Sequence, residues 1–284
     1  MADNTTGYRT RPVSLSGRLQ AISALAGTGN TVCDVGCDHA HIPIRLLQEK
    51  RFSRAIGMDV IDGPLGKAAG NLRLYGMEQL VELRLSDGLD AFRPGEADTL
   101  IIAGMGGSMI REILLREPEK TKSFYALVLG PQSDPDKVRS CLRTLEFTIE
   151  EERFLFEDGK YYPILRAVKS TPQSPVRSAE DPVRQAAEDL FGPVLLRRRD
   201  PVLHEYMIRQ TAVLEKILRS VRGAVLQTAP QKKEEKKDLH RVHLERQTQI
   251  ERDLEIFRAA LAVYGTSSAA DAYGTFSAET GATP

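Results

Sequence analysis

Acids and glycines recur at the ends of apolar runs in this sequence, and they set the chemistry it can do. The first run ends in Asp34-Val35-Gly36-Cys37-Asp38-His39. Gly36 has no Cβ, so a ligand can approach its backbone closely. It stands alone between two acids, which is not the G-x-G-x-x-G fingerprint of dinucleotide binding. Asp34 and Asp38 would repel a pyrophosphate, so an NAD-linked oxidoreductase is disfavoured. They suit a cationic or amine-bearing ligand, and S-adenosylmethionine carries both a sulfonium and an α-ammonium. Asp59, in Gly57-Met58-Asp59-Val60, ends a second run. A carboxylate there can accept hydrogen bonds from both ribose hydroxyls. Asp87, in Ser86-Asp87-Gly88-Leu89, ends a third and can accept from an adenine N6 amine. A fourth run ends in Ala103-Gly104-Met105-Gly106-Gly107-Ser108, whose glycines imply turns with positive φ and an exposed backbone beneath a ligand. A fifth ends in Leu129-Gly130-Pro131-Gln132, where the amide offers a donor and an acceptor to a planar base. Two plainer readings stay open. The acids could only cap the following helices, and the Pro-Gln segment could be only a turn.

Other reactive residues form no set. His39 and His41 are one residue apart, but no cysteine or carboxylate completes a metal site at suitable spacing, so no metal is expected. Cys33 and Cys37 lack the C-x-x-C spacing, and Cys33 falls within the first strand. His240 and His243 lie three apart on a helical pattern and read as solvent-facing. No Ser-His-Asp or Cys-His arrangement stands out.

The elements that must position these residues follow from periodicity. Short apolar runs predict strands at about residues 31–35, 54–60, 81–85, 99–103, 126–130, 147–156 and 161–168. Helical patterns at about 41–49, 63–74, 108–116 and 135–145 separate most of the first five. Strands alternating with helices predict right-handed crossovers and a mainly parallel sheet. Glu157-Asp158-Gly159-Lys160 reads as a hairpin turn, so the sheet should end with antiparallel pairing. Residues 169–182 are rich in Ser, Pro and charge and read as a linker. Leu203, Met207, Gln210, Leu214, Ile217 and Val221 then keep a heptad-like spacing. Pro230 lies in a polar break at about 228–237, and Ile250, Leu254, Phe257 and Leu261 resume the pattern. That predicts an antiparallel helical hairpin. An ordinary helical subdomain is the competing reading. The expected organisation is an α/β domain over 1–170, the helical hairpin over 171–264 and a disordered tail over 265–284.

Composition bounds the rest. The 284 residues carry 39 Lys+Arg and 39 Asp+Glu, so the formal net charge is zero. That excludes a strongly basic, histone-like mode of nucleic-acid binding while allowing a local basic face. Three cysteines make no disulfide framework and read as reduced thiols, which points to the cytoplasm. The polar start reads as no secretory signal, and no apolar run is long enough to span a membrane.

Four segments together resemble a known family. They are Leu15-Ser16-Gly17-Arg18-Leu19, the segment from Asp34 to Ala40, the segment from Ala103 to Gly107, and Gly159-Lys160-Tyr161-Tyr162. They are similar to the bacterial tRNA adenine-N1 methyltransferases that modify adenine 22, the TrmK family, over about residues 13–262. The resemblance implies a Rossmann-like S-adenosylmethionine-dependent methyltransferase sheet with a C-terminal coiled-coil-like domain. It implies that Asp34, Gly36 and Cys37 hold the methionine part of the cofactor. Asp59 and Val60 would lie at the ribose, where the family often has Glu, and Asp87 and Gly88 at the adenine. Met105 and Gly106 would line the reaction pocket, with Ala103 and Gly104 beside them at the cofactor. The family usually shows Leu-Gln-Pro-Asn at the fifth strand end, so Gly130 and the longer Gln132 are departures.

Under that resemblance the substrate is tRNA and the expected species a monomer. Asp38 is the carboxylate expected to oppose charge on the methylated base, with His39 or Gln132 holding the base. Arg9, Arg11, Arg18, Arg197, Arg198 and Arg199 are expected to contact phosphates. The lysines at 232–237 alternate with Glu234 and Glu235 and read as a hairpin tip. Two rival functions are a methyltransferase acting on a small molecule or protein, and a non-catalytic RNA-binding module of the same fold.

Overall fold

The structure, a computed structural model, describes residues 11–172, 179, 181–227 and 234–265. The chain divides into two compact units, Met1–Arg177 and Ser178–Pro284.

The first unit opens with α1 (Gly17–Leu25), capped by the Ser16 hydroxyl, which accepts from the Leu19 amide. The alternation follows as β1 (Thr31–Val35), α2 (His41–Gln48), β2 (Arg54–Asp59), α3 (Asp62–Tyr75), β3 (Val81–Leu85), β4 (Thr99–Ala103), α4 (Gly107–Arg116), α5 (Pro118–Ser123), β5 (Ala126–Gly130) and α6 (Pro135–Thr144). A hairpin of β6 (Phe147–Glu157) and β7 (Lys160–Lys169) closes the sheet. Strand order is β3-β2-β1-β4-β5-β7-β6, with β1 to β5 parallel and β7 antiparallel to both its neighbours. β1 and β5 are buried at every residue, as continuous apolar strands covered on both faces must be. From β1 the chain winds outward to β3 on one side, then returns to β4 and β5 on the other. The carboxyl ends of β1 and β4 therefore flank the switch point where such sheets bind ligands.

The sequence expected no helix at 17–25 or 118–123. α1 buries Ala21, Ile22, Ser23 and Leu25, too mixed a face to show in hydrophobic periodicity. β2 stops at Asp59, one residue early, leaving Val60 exposed. Asp158 and Gly159 both have positive φ, 49° and 77°, as a two-residue type I′ hairpin requires. β5 pairs with β7 only as far as Leu129 opposite Leu165. Residues 160–164 of β7, with their β6 partners, thus run past the carboxyl edge of the parallel sheet.

The second unit contains α7 (Pro182–Phe191), α8 (Pro193–Arg198), α9 (Pro201–Gln227) and α10 (Glu234–Ala262). Cross-links between α9 and α10 pair Glu215 with Arg258 and Arg222 with Glu251, which makes the two antiparallel. Between them Leu218, Val221, Ile250 and Leu254 form a core. Phe191 of α7 meets Phe257 edge-to-face at 4.8 Å between centroids. The buried face of α9 includes Ile208, Thr211 and Leu218, so it is wider than the heptad seam. α7 and α8 were not expected. Residues 234–237 are helical rather than part of the polar break, while Pro230 and the tail over 266–284 lie outside the described residues. His240 and His243 are half-buried rather than solvent-facing.

A fully buried ion pair ties α6 to the hairpin: Arg139 Nε donates to Glu152 Oε1 at 2.8 Å, with the side chains 1% and 0% exposed. Removing one partner strands a buried charge, which costs about 3–5 kcal/mol, whereas apolar replacement of both is close to neutral. Urea denaturation should therefore find R139M much less stable than the double variant R139M/E152L. Equal loss in both would show that the pair itself supplies the stability.

Candidate active site

The site is built at the carboxyl ends of the central strands. Asp34 is 4% exposed and Asp59, on the neighbouring strand, is 8% exposed. Burial, and secondarily the charge of Asp59, raises the Asp34 pKa from the ordinary carboxylate value to about 7. Asp59 accepts from the Ile61 amide at 3.1 Å. Among the described residues nothing donates a hydrogen bond to the Asp34 carboxylate. Two acids are thus buried close together without a cation. That arrangement is costly unless a ligand brings positive charge or donors.

Gly36 makes the turn above them, with φ 76°. Its amide and that of Cys37 donate to the Met58 carbonyl at 2.8 and 3.0 Å. A Cβ on Gly36 would stand 2.4 Å from Met105 Cε. The positive φ calls for glycine here, whereas the Met105 methyl is the end of a flexible side chain and could move aside. Cys37 is buried with its sulfur against Gly57, and burial pushes its thiol well above the usual range.

A cavity of about 190 Å³ adjoins this turn. Gly36, Asp59, Val60, Asp87 and Gly88 line its strand side, together with Val35 and Ser86. Met105 and the α4 residues Met109, Glu112, Ile113 and Arg116 form the opposite wall. Asp34, Cys37, Ala103, Gly104 and Gly106 do not line it; they lie at the ends of β1 and β4 and in the turns that follow. The α4 wall was missed in the sequence, although 109, 112, 113 and 116 share one helix face. Val60 and Met109, 60% and 56% exposed, leave apolar surface at the mouth that a ligand would cover. Asp87 was expected to accept from an adenine amine. Its two oxygens accept from Arg116, at 2.8 and 3.1 Å, which holds its pKa below the usual carboxylate value.

The turns after β4 and β5 are locked together. Gly104 N donates to the Gly130 carbonyl, Gln132 N to that of Met105, and Gly107 N to that of Ser133. A Cβ on Gly107 would lie 2.2 Å from the Asp134 carbonyl oxygen. Gly130 is buried against Ala103, whose Cβ would be 3.2 Å from a Cβ placed on it.

Asp38 projects from this edge with φ 43°, its side chain 60% exposed, and His39 Nε2 lies 3.5 Å from it. His39 stacks on His41 at 5.3 Å, and Asn71 Nδ2 donates to the His39 carbonyl. Gln132 is exposed on the same edge. Arg18 is not a remote surface residue. Its guanidinium lies over the Tyr162 ring at 5.1 Å, beside the Gly104 turn. Arg11 is exposed, and Arg9 lies outside the described residues. In the second unit Arg197, Arg198 and Arg199 are exposed where α8 ends, and Arg198 approaches Asp200 at 3.5 Å. Among the described residues no His, Cys, Asp and Glu cluster could hold a metal, and no helix is long and apolar enough to cross a membrane.

Comparison with known proteins converges on one activity. A family model described as a methyltransferase domain matches residues 15–165. The tRNA (adenine(22)-N(1))-methyltransferase of Bacillus subtilis is 32% identical over 190 residues, covering 67% of this chain and 78% of that protein. The crystal structure of the B. subtilis m1A22 tRNA methyltransferase TrmK is similar at TM-score 0.69 and 27% identity, over 86% of this chain and 99% of that one. A Streptococcus pneumoniae protein crystallised in complex with S-adenosyl-L-methionine is similar at TM-score 0.67 and 26% identity, over 86% of this chain and all of that one.

The elevated Asp34 pKa has a consequence for stability. Its contribution is fully present below the unfolded value near 4 and is lost as pH rises through about 7. Without ligand, D34N should flatten the fall in melting temperature between about pH 5 and pH 8 and be the more stable form at the upper end. Parallel melting curves for the two proteins would contradict the assignment.

Proposed function

The chain belongs to the tRNA (adenine(22)-N(1))-methyltransferase family, and on that premise we propose that it methylates N1 of an adenine in tRNA, adenine 22 by kinship, using S-adenosylmethionine. The observation that carries the cofactor is the buried Asp34–Asp59 pair beneath the Gly36 turn, a negative site that a cation completes. When bound, S-adenosylmethionine supplies an electrophilic methyl group on a sulfonium. Asp34, Gly36 and Cys37 form the floor under its methionine part. Asp59 and Val60 serve the ribose, and Asp87 and Gly88 the adenine. Ala103, Gly104, Met105 and Gly106 shape the edge at which the two reactants meet.

Adenine N1 has an in-plane lone pair and is neutral at ordinary pH, so this chain need supply no general base. Its residues must align the base, and alignment can contribute roughly 7–11 kcal/mol. The methylated base is cationic. Asp38, projecting from the sheet edge, places a carboxylate to oppose that charge. His39 and Gln132 hold the base by hydrogen bonds once it is turned out of the folded RNA. Arg9, Arg11 and Arg197 to Arg199 contact phosphates, with residues 171–264 as the RNA-contacting domain and residues 265–284 as a tail outside it. The protein works as a cytoplasmic monomer without a metal.

Methyl transfer from labelled S-adenosylmethionine to unmodified tRNA transcripts, with mapping of the product nucleoside, tests the activity. Modification of another base, or none, would overturn it. D38A should bind the cofactor normally by calorimetry while turnover drops about 100-fold or more; undiminished turnover would remove Asp38 from the reaction. Reversing Arg197, Arg198 and Arg199 to Glu should weaken tRNA binding and shallow its salt dependence by roughly 0.7–0.9 per lost phosphate contact. An unchanged slope would leave those arginines merely solvated.

A further inference from the structure

The turn after β5 breaks two local rules at one residue. Asp134 precedes Pro135, the first residue of α6, where an Asp side chain ordinarily caps its helix by accepting from the amides that follow. Asp134 makes no such bond, and its backbone is left-handed, φ 49° and ψ 49°, rather than extended. Its carboxylate is turned instead toward the start of α4. Oδ2 accepts from the hydroxyls of Ser108 and Ser133, both at 3.1 Å. Lys137, on the first turn of α6, lies 3.2 Å from Oδ1 and donates to Ser108 Oγ at 2.9 Å, which closes a ring of contacts. Lys137 first, then the two hydroxyls, hold the Asp134 carboxyl below its usual range, so it remains an acceptor at neutral pH. The ring spans the two turns at the reacting edge. In the chain Ser108 lies between Met105 and Met109, both on the cavity wall, and Ser133 follows Gln132. Ser133 Oγ would stand 3.0 Å from a Cβ on Gly106.

We propose that Asp134 is a positioning residue for methyl transfer: with its own helix left uncapped, it ties the Gln132 turn to the first turn of α4. This rests on the methyltransferase reading above. Backbone bonds already join the two turns, from Gln132 N to Met105 and from Gly107 N to Ser133. α4 is further anchored by the buried Ile110, Ile113 and Leu114. Gln132 and Ser133 are exposed and have no such packing. The side-chain ring therefore acts mainly on the β5 turn, which presents the Gln132 amide to the base. Asp134 and Lys137 are 37% and 48% exposed, so their ion pair adds little to stability. A left-handed backbone and a forgone cap are local costs, and such costs gather at functional sites where the surrounding structure holds them.

Methyl-transfer kinetics on tRNA transcripts, with calorimetry of S-adenosylhomocysteine binding to the full chain, test this. D134G keeps the left-handed backbone and removes the acceptor. Its kcat should fall about 10- to 100-fold, while KM for tRNA and affinity for S-adenosylhomocysteine stay within about twofold. D134N tolerates the same backbone and keeps an acceptor oxygen, so it should return to within about threefold of wild type. S108A should slow turnover, and S108A/D134G should be no slower than D134G, because both remove the same link. Undiminished kcat in D134G, even with a lower melting temperature, would make Asp134 a structural residue only. A parallel loss of S-adenosylhomocysteine binding would place its effect in the cofactor site. D134N no faster than D134G, or losses that multiply in the double variant, would break the proposed link. Each of these results overturns the positioning role alone. Wild-type protein that methylates no tRNA overturns both that role and the reading it rests on.

Discussion

Burying two carboxylates side by side is the constraint on which the rest of this site depends. Asp34 and Asp59 sit at the ends of adjacent parallel strands, where the sheet leaves little water to solvate them. A fold that tolerates such a pair without an internal cation carries a standing penalty, seen in the elevated Asp34 pKa. On the proposed reading, a cationic ligand relieves that penalty. Specificity then comes from what surrounds the pair. The Gly36 turn sets how closely a ligand can approach, and the α4 wall limits the opposite side.

Rigidity of the reacting edge has a separate origin. The β4 and β5 turns exchange backbone hydrogen bonds through Gly104, Met105, Gly107 and Gln132. At residue 107 the backbones of Ser133 and Asp134 lie closer than a side chain would allow, which explains the glycine there. Gly130, a departure from the family pattern, faces Ala103 and Ile22. Gln132 keeps its amide on the exposed edge beside it.

The parallel strands were legible because buried strands such as 31–35 and 126–130 are continuous apolar runs, and the Asp158-Gly159 turn because its chemistry is local. The strand-end residues were legible for the same reason. Helix α1 was not, since its buried face includes Ser23 and small residues; the Ser16 cap was its one local signal. The cavity wall on α4 mixes Met109, Glu112 and Arg116, and such a face reads like an ordinary half-solvated helix. Pairing across distance was invisible: nothing near Asp87 in the chain announces Arg116, and nothing near Arg18 announces Tyr162.

Those two pairings change what a net charge of zero means. Arg116 neutralises an acid at the cavity, and Arg18 stands at the sheet edge against an aromatic ring, so neither is part of a general basic surface. The count of 39 against 39 therefore does not describe the field that an RNA would meet. Some acids are withdrawn into the site, and several exposed arginines, such as Arg209, Arg222 and Arg258, are paired with glutamates on the helices. A neutral protein of this kind has little long-range, sequence-blind attraction for nucleic acid. Its discrimination must come from a few well-placed phosphate contacts and from a base that fits once turned out. That favours a folded RNA, which presents its phosphates at fixed separations, over a flexible single strand, which would have to be ordered first.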